Sequence, residues 1–497
     1  MKKLFTKILC LAGSAVLLST AIPVFSHAEE VEADNGEIYT VREVPAVYIN
    51  TAEGNGLSLE KGDSYTIADI VIVDTDGTII HQSGQVKVRG NSTAEVPKKP
   101  YTIKFDKKQD VLGMGKAKKW VLLASCLDPT FLRNRLALKV SQDMGLPYTS
   151  DISYAELWMD GVYRGCYEIA EPVDDGATRV DIDVESNNGM ADFIIQFEYN
   201  RSDPSATYFT ADDLRFEIKT PDITSEEQRL YVKYKILDIY NVIKTKNFEE
   251  IEKLIDVDSF AKYYLLNEIF KNVDFGFSSA FFFYKDGILY AGPPWDYDLT
   301  AGNLNYYESE NSRLCLDTAN LFDHQFHFYK YLLQCREFQN ALRRVYAENF
   351  GHFENLYSEG GVIDSVTEQY YPVFQRNFDE TEWDLNTQYK SLMRVPVGDY
   401  FDNVNYLRDW LRERNEWLSS YYDINGDLWF TVGDIDGNSE ITIADAVRLE
   451  QYLLSKRELS DAEKKSADIS CDDVVDVFDM VSLRQILIER NISAENS

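Results

Sequence analysis

A repeat near the C-terminal end constrains this chain more than any other feature. Residues Asp434 to Leu454 align with Asp468 to Ile488 at an offset of 34 positions. In the first copy Asp434, Asp436, Asn438, Thr442 and Asp445 occupy positions 1, 3, 5, 9 and 12 of a twelve-residue loop, and the Glu440 carbonyl falls at position 7. In the second, Asp468, Ser470, Asp472, Asp476 and Asp479 take the same positions, with the Val474 carbonyl at position 7. Oxygen donors at alternate positions of a tight loop are what a hard cation of calcium's size requires. Each loop leads into an apolar periodicity, Val447/Leu449/Leu453 and Val481/Leu483/Leu487, spaced for the buried face of a helix. The repeat therefore predicts a small all-α module of two calcium loop-helix units. It departs from the ordinary EF-hand, which carries Gly at position 6 and Glu at position 12, because Ser439 or Asp473 stands at position 6 and Asp at position 12.

The stretch from Asp423 to Ser497 holds 17 acids and 7 bases. Across the whole chain 83 acids face 50 bases, a formal net charge of −33, which excludes a strongly basic nucleic-acid binder. Residues 1–28 join Lys2, Lys3 and Lys7 to an apolar stretch from Ile8 to about Ala21 and a small-x-small site at Ser26-His27-Ala28, the pattern of a secretory signal peptide. That apolar stretch is shorter than the roughly 20 residues a membrane-crossing helix needs. A secreted, extracellular protein with no membrane span is expected. Cys126, Cys166, Cys315, Cys335 and Cys471 lie beyond the signal, odd in number and widely spaced, so no disulfide framework is implied. Neither C-x-x-C nor H-E-x-x-H occurs, and any metal should be oxygen-bound.

Upstream of the repeat, residues 38–125 alternate apolar and polar side chains between Gly, Asp and Asn turns and predict strands. Helix signals follow at Thr130 to Met144, and strands at Ala155 to Met159 and Tyr163 to Ile169 about the Asp160-Gly161 turn. From about Ser225 helices dominate. Asp258-Ser259 predicts the cap of an amphipathic helix running to Lys271, and Ala280 to Lys285 with Ile288 to Ala291 predict a hairpin about Asp286-Gly287. Residues 325–420 read as mostly helical. The expected fold class is α+β, a β-rich part followed by a helical part, with the calcium module behind a linker. The Asp423-Ile424-Asn425-Gly426-Asp427 run is calcium-like too, but no helix pattern follows it and it reads as a linker turn.

Two turns concentrate carboxylates beside rigid apolar structure: Asn272-Val273-Asp274 after the capped helix, and Trp295-Asp296-Tyr297-Asp298-Leu299 after the hairpin. Scaffold turns of this kind hold acids in fixed geometry facing a cleft. One Asp poised as a base beside metal-binding Asp residues is the arrangement phosphoryl transfer uses, whereas an Asp-x-Asp in a turn also serves as a helix cap or a solvated loop.

The C-terminal repeat resembles a type I dockerin, the module by which bacterial cellulosome components plug into the cohesins of a scaffoldin. The resemblance covers about residues 430 to 491 and implies calcium as cofactor and a cohesin as partner. Loop positions 10 and 11, which help select the cohesin in dockerins, are Ile443 and Ala444 in one copy and Val477 and Phe478 in the other. These unlike pairs imply faces that are not interchangeable.

The larger part resembles the spore coat protein CotH family over roughly residues 45 to 420. The motifs, in family order, are Val88-Arg89-Gly90-Asn91-Ser92-Thr93; Lys98-Lys99-Pro100-Tyr101-Thr102-Ile103-Lys104-Phe105; Asp128 with Leu132-Arg133-Asn134; the run from Asp160 to Glu171; Asn272-Val273-Asp274; and Pro294 to Leu299. The resemblance implies an atypical, bilobal protein-kinase-like domain at 38–420, with a β-rich N-lobe and a helical C-lobe, that binds ATP and Mg2+ or another divalent cation. A linker at 421–430 and the dockerin at 431–491 would follow. Lys104 would bind phosphate, Glu171 would lie near the adenine, Asp274 would be the catalytic Asp, and Asp296 and Asp298 are both candidates for the metal. Two features depart from protein kinases. Ser279 stands where those enzymes place a metal-binding Asn, and no G-x-G-x-x-G loop exists, Gly113-Met114-Gly115 being too short. The implied function is a cellulosome-associated secreted kinase acting on a secreted or cell-surface protein. The alternatives are a non-catalytic structural or adhesive surface protein, or a polysaccharide-degrading glycoside hydrolase working with two carboxylates roughly 5 to 9.5 Å apart.

Overall fold

A computed structural model describes residues 29–199, 206–304, 315–322, 326–393, 397–422, 433–436, 441–459, 461–470 and 474–495. Residues 1–28, read above as a signal peptide, and most of the expected linker at 421–430 lie outside the described residues, as do Asn438, Glu440, Asp472 and Cys471. A short hairpin, β1 (Glu30–Glu32) and β2 (Ile38–Thr40), leads in. Seven strands then close into a barrel: β3 (Ala46–Thr51), β4 (Thr66–Val73), β5 (Ile79–Val88), β6 (Tyr101–Asp110), β7 (Lys116–Leu123), β8 (Ile152–Met159) and β9 (Val162–Ala170). Their order around the ring is β3-β4-β5-β6-β7-β9-β8, and parallel pairing of β3 with β8 completes it.

Strict alternation fills this barrel, because successive side chains of a strand point to opposite faces. Ile70, Val86, Ile103, Trp120, Leu157 and Ile169 point inward and are all buried. The opposite face of β5, β6 and β7 carries Lys87, Lys104 and Lys119, with Lys104 paired to Gln85 on one side and Lys119 on the other. Further along it, Val121 and Ala170 pack against Ile194, Phe281, Phe283 and Trp295 of the second part of the chain. Lys98, fully buried, donates to the Cys166 carbonyl at 2.7 Å and to Asn377 Oδ1 at 2.8 Å, tying the barrel to a long helix, Val362–Glu380.

That second part is not purely helical. A five-stranded antiparallel sheet, ordered β11-β12-β10-β13-β14, is built from β10 (Phe193–Phe197), β11 (Thr207–Ala211), β12 (Leu214–Thr220), β13 (Ala280–Lys285) and β14 (Ile288–Ala291). The β13–β14 hairpin has the bounds its sequence predicts. The architecture is thus mixed α+β, with a closed barrel first and a sheet with helices second, rather than strands followed by helices alone. The helices Glu226–Thr245, Val257–Phe270, Arg336–Tyr357, Val362–Glu380 and Tyr400–Tyr422 share a core with this sheet.

Two helix starts differ from the sequence reading. Asp256, not Asp258, caps Val257–Phe270: its carboxylate accepts the Ser259 N–H at 2.7 Å while Asp258 pairs with Lys262. The helix expected from Thr130 begins only at Arg133, because Asp128 folds the preceding residues into a turn by accepting the Thr130 N–H, and Phe131 takes a positive φ of 60°. At the C-terminal end the helices Ile443–Leu453, Asp461–Ala467 and Val477–Glu495 surround a small core that includes Ile435, Ile441, Leu449, Ile469 and Leu483. Cys126, Cys166, Cys315 and Cys335 are buried, and no disulfide joins any two of them. Among the described residues no helix is long and apolar enough to cross a membrane.

Candidate functional site

The first acid turn hangs from the end of helix Val257–Phe270. Near that end Glu268 pairs with Arg414 at 2.7 Å, both fully buried, so the helix terminus is fixed against Tyr400–Tyr422. Lys271 leaves the helix with φ 44°, Asn272 Oδ1 accepts the Asp274 N–H at 3.0 Å, and the Asp274 carbonyl accepts N–H groups from Phe277 and Ser278 at 2.8 Å each. The second turn runs from Trp295 to Ala301. Its backbone is gripped by the first turn of helix Arg133–Asp143: Asn134 Oδ1 accepts the Tyr297 N–H at 2.8 Å, and Arg133 donates to the carbonyls of Thr300 at 2.9 Å and Ala301 at 3.3 Å. Arg133 is itself held by Asp128 at 2.6 Å, both buried. The two turns meet where the Val273 N–H reaches the Leu299 carbonyl, and the side chains of Val273 and Leu299 join the barrel core.

Asp274, Asp296 and Asp298 converge as a result. Burial pushes the Asp274 carboxyl up to about 7, helped by the charges of Asp296 and Glu198. Asp298, 8% exposed, is raised well above the usual carboxylate range by burial and then by Asp296, Asp274, Asp128 and Glu168. Glu168, behind Asn134, is raised to about 7 by burial against opposing hydrogen bonds from Asn134 and Ser125. Asp296 is more open, holds a positive φ of 68°, and accepts the Ser279 hydroxyl at 2.9 Å. Carboxylates crowded in this way share protons or take up a cation. The three do not form a tight cage by themselves. Among the described residues the acid, His or Cys groups whose ligand atoms all fall within 4.8 Å of one another are Asp434, Asp436 and Asp445.

The other residues singled out by sequence are not brought to these acids. Lys104 is exposed on β6 with its ammonium 6.0 Å from the Tyr65 ring. Glu171 is buried, faces Arg179 at 3.6 Å and accepts the Asp151 N–H at 3.2 Å. It lines a shallow crevice with Tyr148, Arg179 and Pro293. Reasoning from sequence gave no role to Arg133, Asn134, Glu168 or Glu198. The Asp128…Arg133-Asn134 spacing was the visible signal for the first two.

In the C-terminal module the Asp434, Asp436 and Asp445 oxygens lie within 4.8 Å of one another, which suits calcium, since ligands about 2.3–2.6 Å from one ion sit up to about 5 Å apart. Position 12 shows why Asp serves there. Asp445 Oδ1 accepts the N–H groups of Ile435 and Asp436 at 2.6 and 2.9 Å, and Oδ2 accepts that of Thr442 at 2.8 Å. The second loop repeats this: Asp479 accepts from Ile469, Ser470 and Asp476, each at 2.8 Å. A short carboxylate tied to its own loop in this way holds the donors of positions 1 and 3 in place. Ile443, Val477, Phe478 and Val481 remain exposed on the outer helix faces.

Residues 86–418 match the model of the CotH kinase protein family, and residues 432–488 match the type I dockerin domain. Inner spore coat protein H of Bacillus subtilis (strain 168) is 28% identical over 229 residues, 44% of this chain. The matched region spans 58% of that relative's length.

Proposed function

The chain belongs to the CotH kinase protein family and carries a type I dockerin domain, and from that premise we propose that it is a secreted phosphotransferase moored through its dockerin to the cohesin of a scaffold. The convergence of Asp274, Asp296 and Asp298 on two turns locked to the barrel core carries this reading. Their mutual charge fits a divalent cation, which Asp296, the more open, and Asp298, the more buried, would hold. Magnesium there supplies neutralisation of phosphate charge. Asp274 accepts the proton of the acceptor hydroxyl, a role its raised proton affinity suits near neutral pH. Ser279, in place of the kinase Asn, orients Asp296. From the barrel side Lys104 would meet phosphate and Glu171 the adenine end of ATP.

The units in this reading are a signal peptide at 1–28, the kinase-like domain with its barrel as N-lobe at 38–420, a linker at 421–430 and the calcium-loaded dockerin at 431–491. The acceptor is a secreted or cell-surface protein. Titration of the purified protein with Mg–ATP, combined with labelled phosphate transfer, tests the proposal. Asp274→Asn should bind nucleotide without transferring phosphate, and Asp296→Asn or Asp298→Asn should lose metal-dependent binding. A wild-type protein that neither binds nor transfers, yet still binds surface proteins with all three Asp replaced, would establish the adhesive alternative instead.

A further inference from the structure

Acids outnumber bases in this chain, and among the described residues several cations packed into the fold have acidic partners. Arg133 holds Asp128, Lys119 holds Asp174 at 2.8 Å, Arg179 faces Glu171 and Arg414 holds Glu268. Arg89 is different. It follows directly on β5, where its N–H donates to the Pro100 carbonyl at 3.0 Å, and its half-buried guanidinium lies over the Trp295 ring, Cζ 5.3 Å from the centroid. Trp295 is the residue next to Asp296, and Asp296 is the charge that acts on Arg89 most strongly. Even so, the guanidinium forms no ion pair or hydrogen bond with any described side chain. Two more cations without an acidic partner among the described residues lie further back along the same barrel face: Lys87, 4.7 Å over the Tyr65 ring, and Lys104, opposite Gln85 and 6.0 Å from that ring.

A guanidinium offers five donors in a rigid fork that matches two oxygens of a phosphate, and stacking on an indole fixes the direction of the fork. We infer that Arg89 is the anion-recognising residue beside the acid turns, taking phosphoryl oxygens of a pyrophosphate-type ligand against the Asp296 turn, with Lys87 and Lys104 as outer charges that draw the anion in. This deepens the phosphotransferase reading, because it moves the main phosphate contact from Lys104 to Arg89, and it rests on that reading only for the identity of the ligand as a nucleotide. Lys could not replace Arg89 fully, since an ammonium is a point charge without the planar fork.

The test titrates full-length wild type, Arg89→Gln and Arg89→Lys calorimetrically with inorganic pyrophosphate, Mg–ATP and adenosine. Heat from calcium chelation by pyrophosphate is common to all three proteins and cancels. The expected result is pyrophosphate and Mg–ATP binding weakened about ten- to a hundredfold in Arg89→Gln, less in Arg89→Lys, with adenosine unaffected. If Arg89→Gln does not fold, Arg89→Lys decides. Equal pyrophosphate affinity in wild type and variants overturns the role of Arg89 while leaving the kinase reading intact. Arg89-dependent pyrophosphate binding without any ATP binding upholds Arg89 and removes the nucleotide. A wild type that binds neither overturns both.

Discussion

Replacing Arg133 by Met should loosen the acid loop without touching any ligand. The guanidinium is 2% exposed and paired with Asp128 at 2.6 Å, and breaking a buried pair by removing one partner typically costs about 3–5 kcal/mol. The carbonyls of Thr300 and Ala301 lose their Arg133 donors as well, each buried acceptor adding about 1–3 kcal/mol when left bare. Against this, Asp128 keeps three donors: the N–H groups of Arg133 and Thr130 and the Thr130 hydroxyl. The expected loss is therefore about 4 kcal/mol, near the middle of the buried-pair range, a large part of a typical domain's 5–15 kcal/mol. Urea unfolding followed by tryptophan fluorescence measures it. Asp128→Asn/Arg133→Met should be less destabilised than the sum of the single changes by about 1–3 kcal/mol, since the stranded charge is gone. Magnesium-dependent nucleotide binding should fall in both variants. A loss under about 1 kcal/mol, or strict additivity of the two substitutions, would refute the clamp.

Three shorter predictions follow from other parts of the structure. The Asp274 carboxyl, raised to about 7 against an unfolded value near 3.9, lowers stability as pH rises through that window, so Asp274→Asn should be more stable than wild type at pH 8 and equal to it at pH 4 in urea unfolding; equal stability at both pH values contradicts the crowding of charge. Gly165→Ala should destabilise by about 1–3 kcal/mol, because the residue has φ +92° and a Cβ there collides with Asn377 Oδ1, the acceptor of Lys98; an unchanged melting temperature would show that the helix Val362–Glu380 yields freely. Chelation of calcium should reduce the helical circular dichroism of the full-length protein, and Asp445→Ala, which strands three loop N–H donors, should raise the calcium needed to restore it; a spectrum indifferent to calcium refutes ion-coupled folding.

The Asp286-Gly287 turn between two apolar runs made the β13–β14 hairpin legible in the sequence although β13 is packed on both faces, and periodicity made strands of the barrel legible. The β12 strand carried the same signal, with Leu214, Phe216 and Ile218 buried between Arg215, Glu217 and Lys219, and its alternation was available to be read. Closure of the barrel was not legible, because the parallel pairing of β3 with β8 depends on residues more than a hundred positions apart. At the candidate site, Asp274, Asp296 and Asp298 could be named because acids in turns beside apolar runs stand out locally. Arg133 and Asn134 could be seen as a motif but not given a task, since what they hold is backbone from a distant turn. The twelve-residue loops were the most readable part, their donors being set by spacing within a single turn of chain.

The closed barrel has a meaning for a protein held by a dockerin beside many neighbours. Tethering of this kind raises the effective concentration of one subunit around another to roughly millimolar, where exposed strand edges would find partners and stick. A ring whose first strand hydrogen-bonds to its last has no such edge to offer. Seven of the strands are thereby withdrawn from intermolecular pairing, however crowded the shared scaffold.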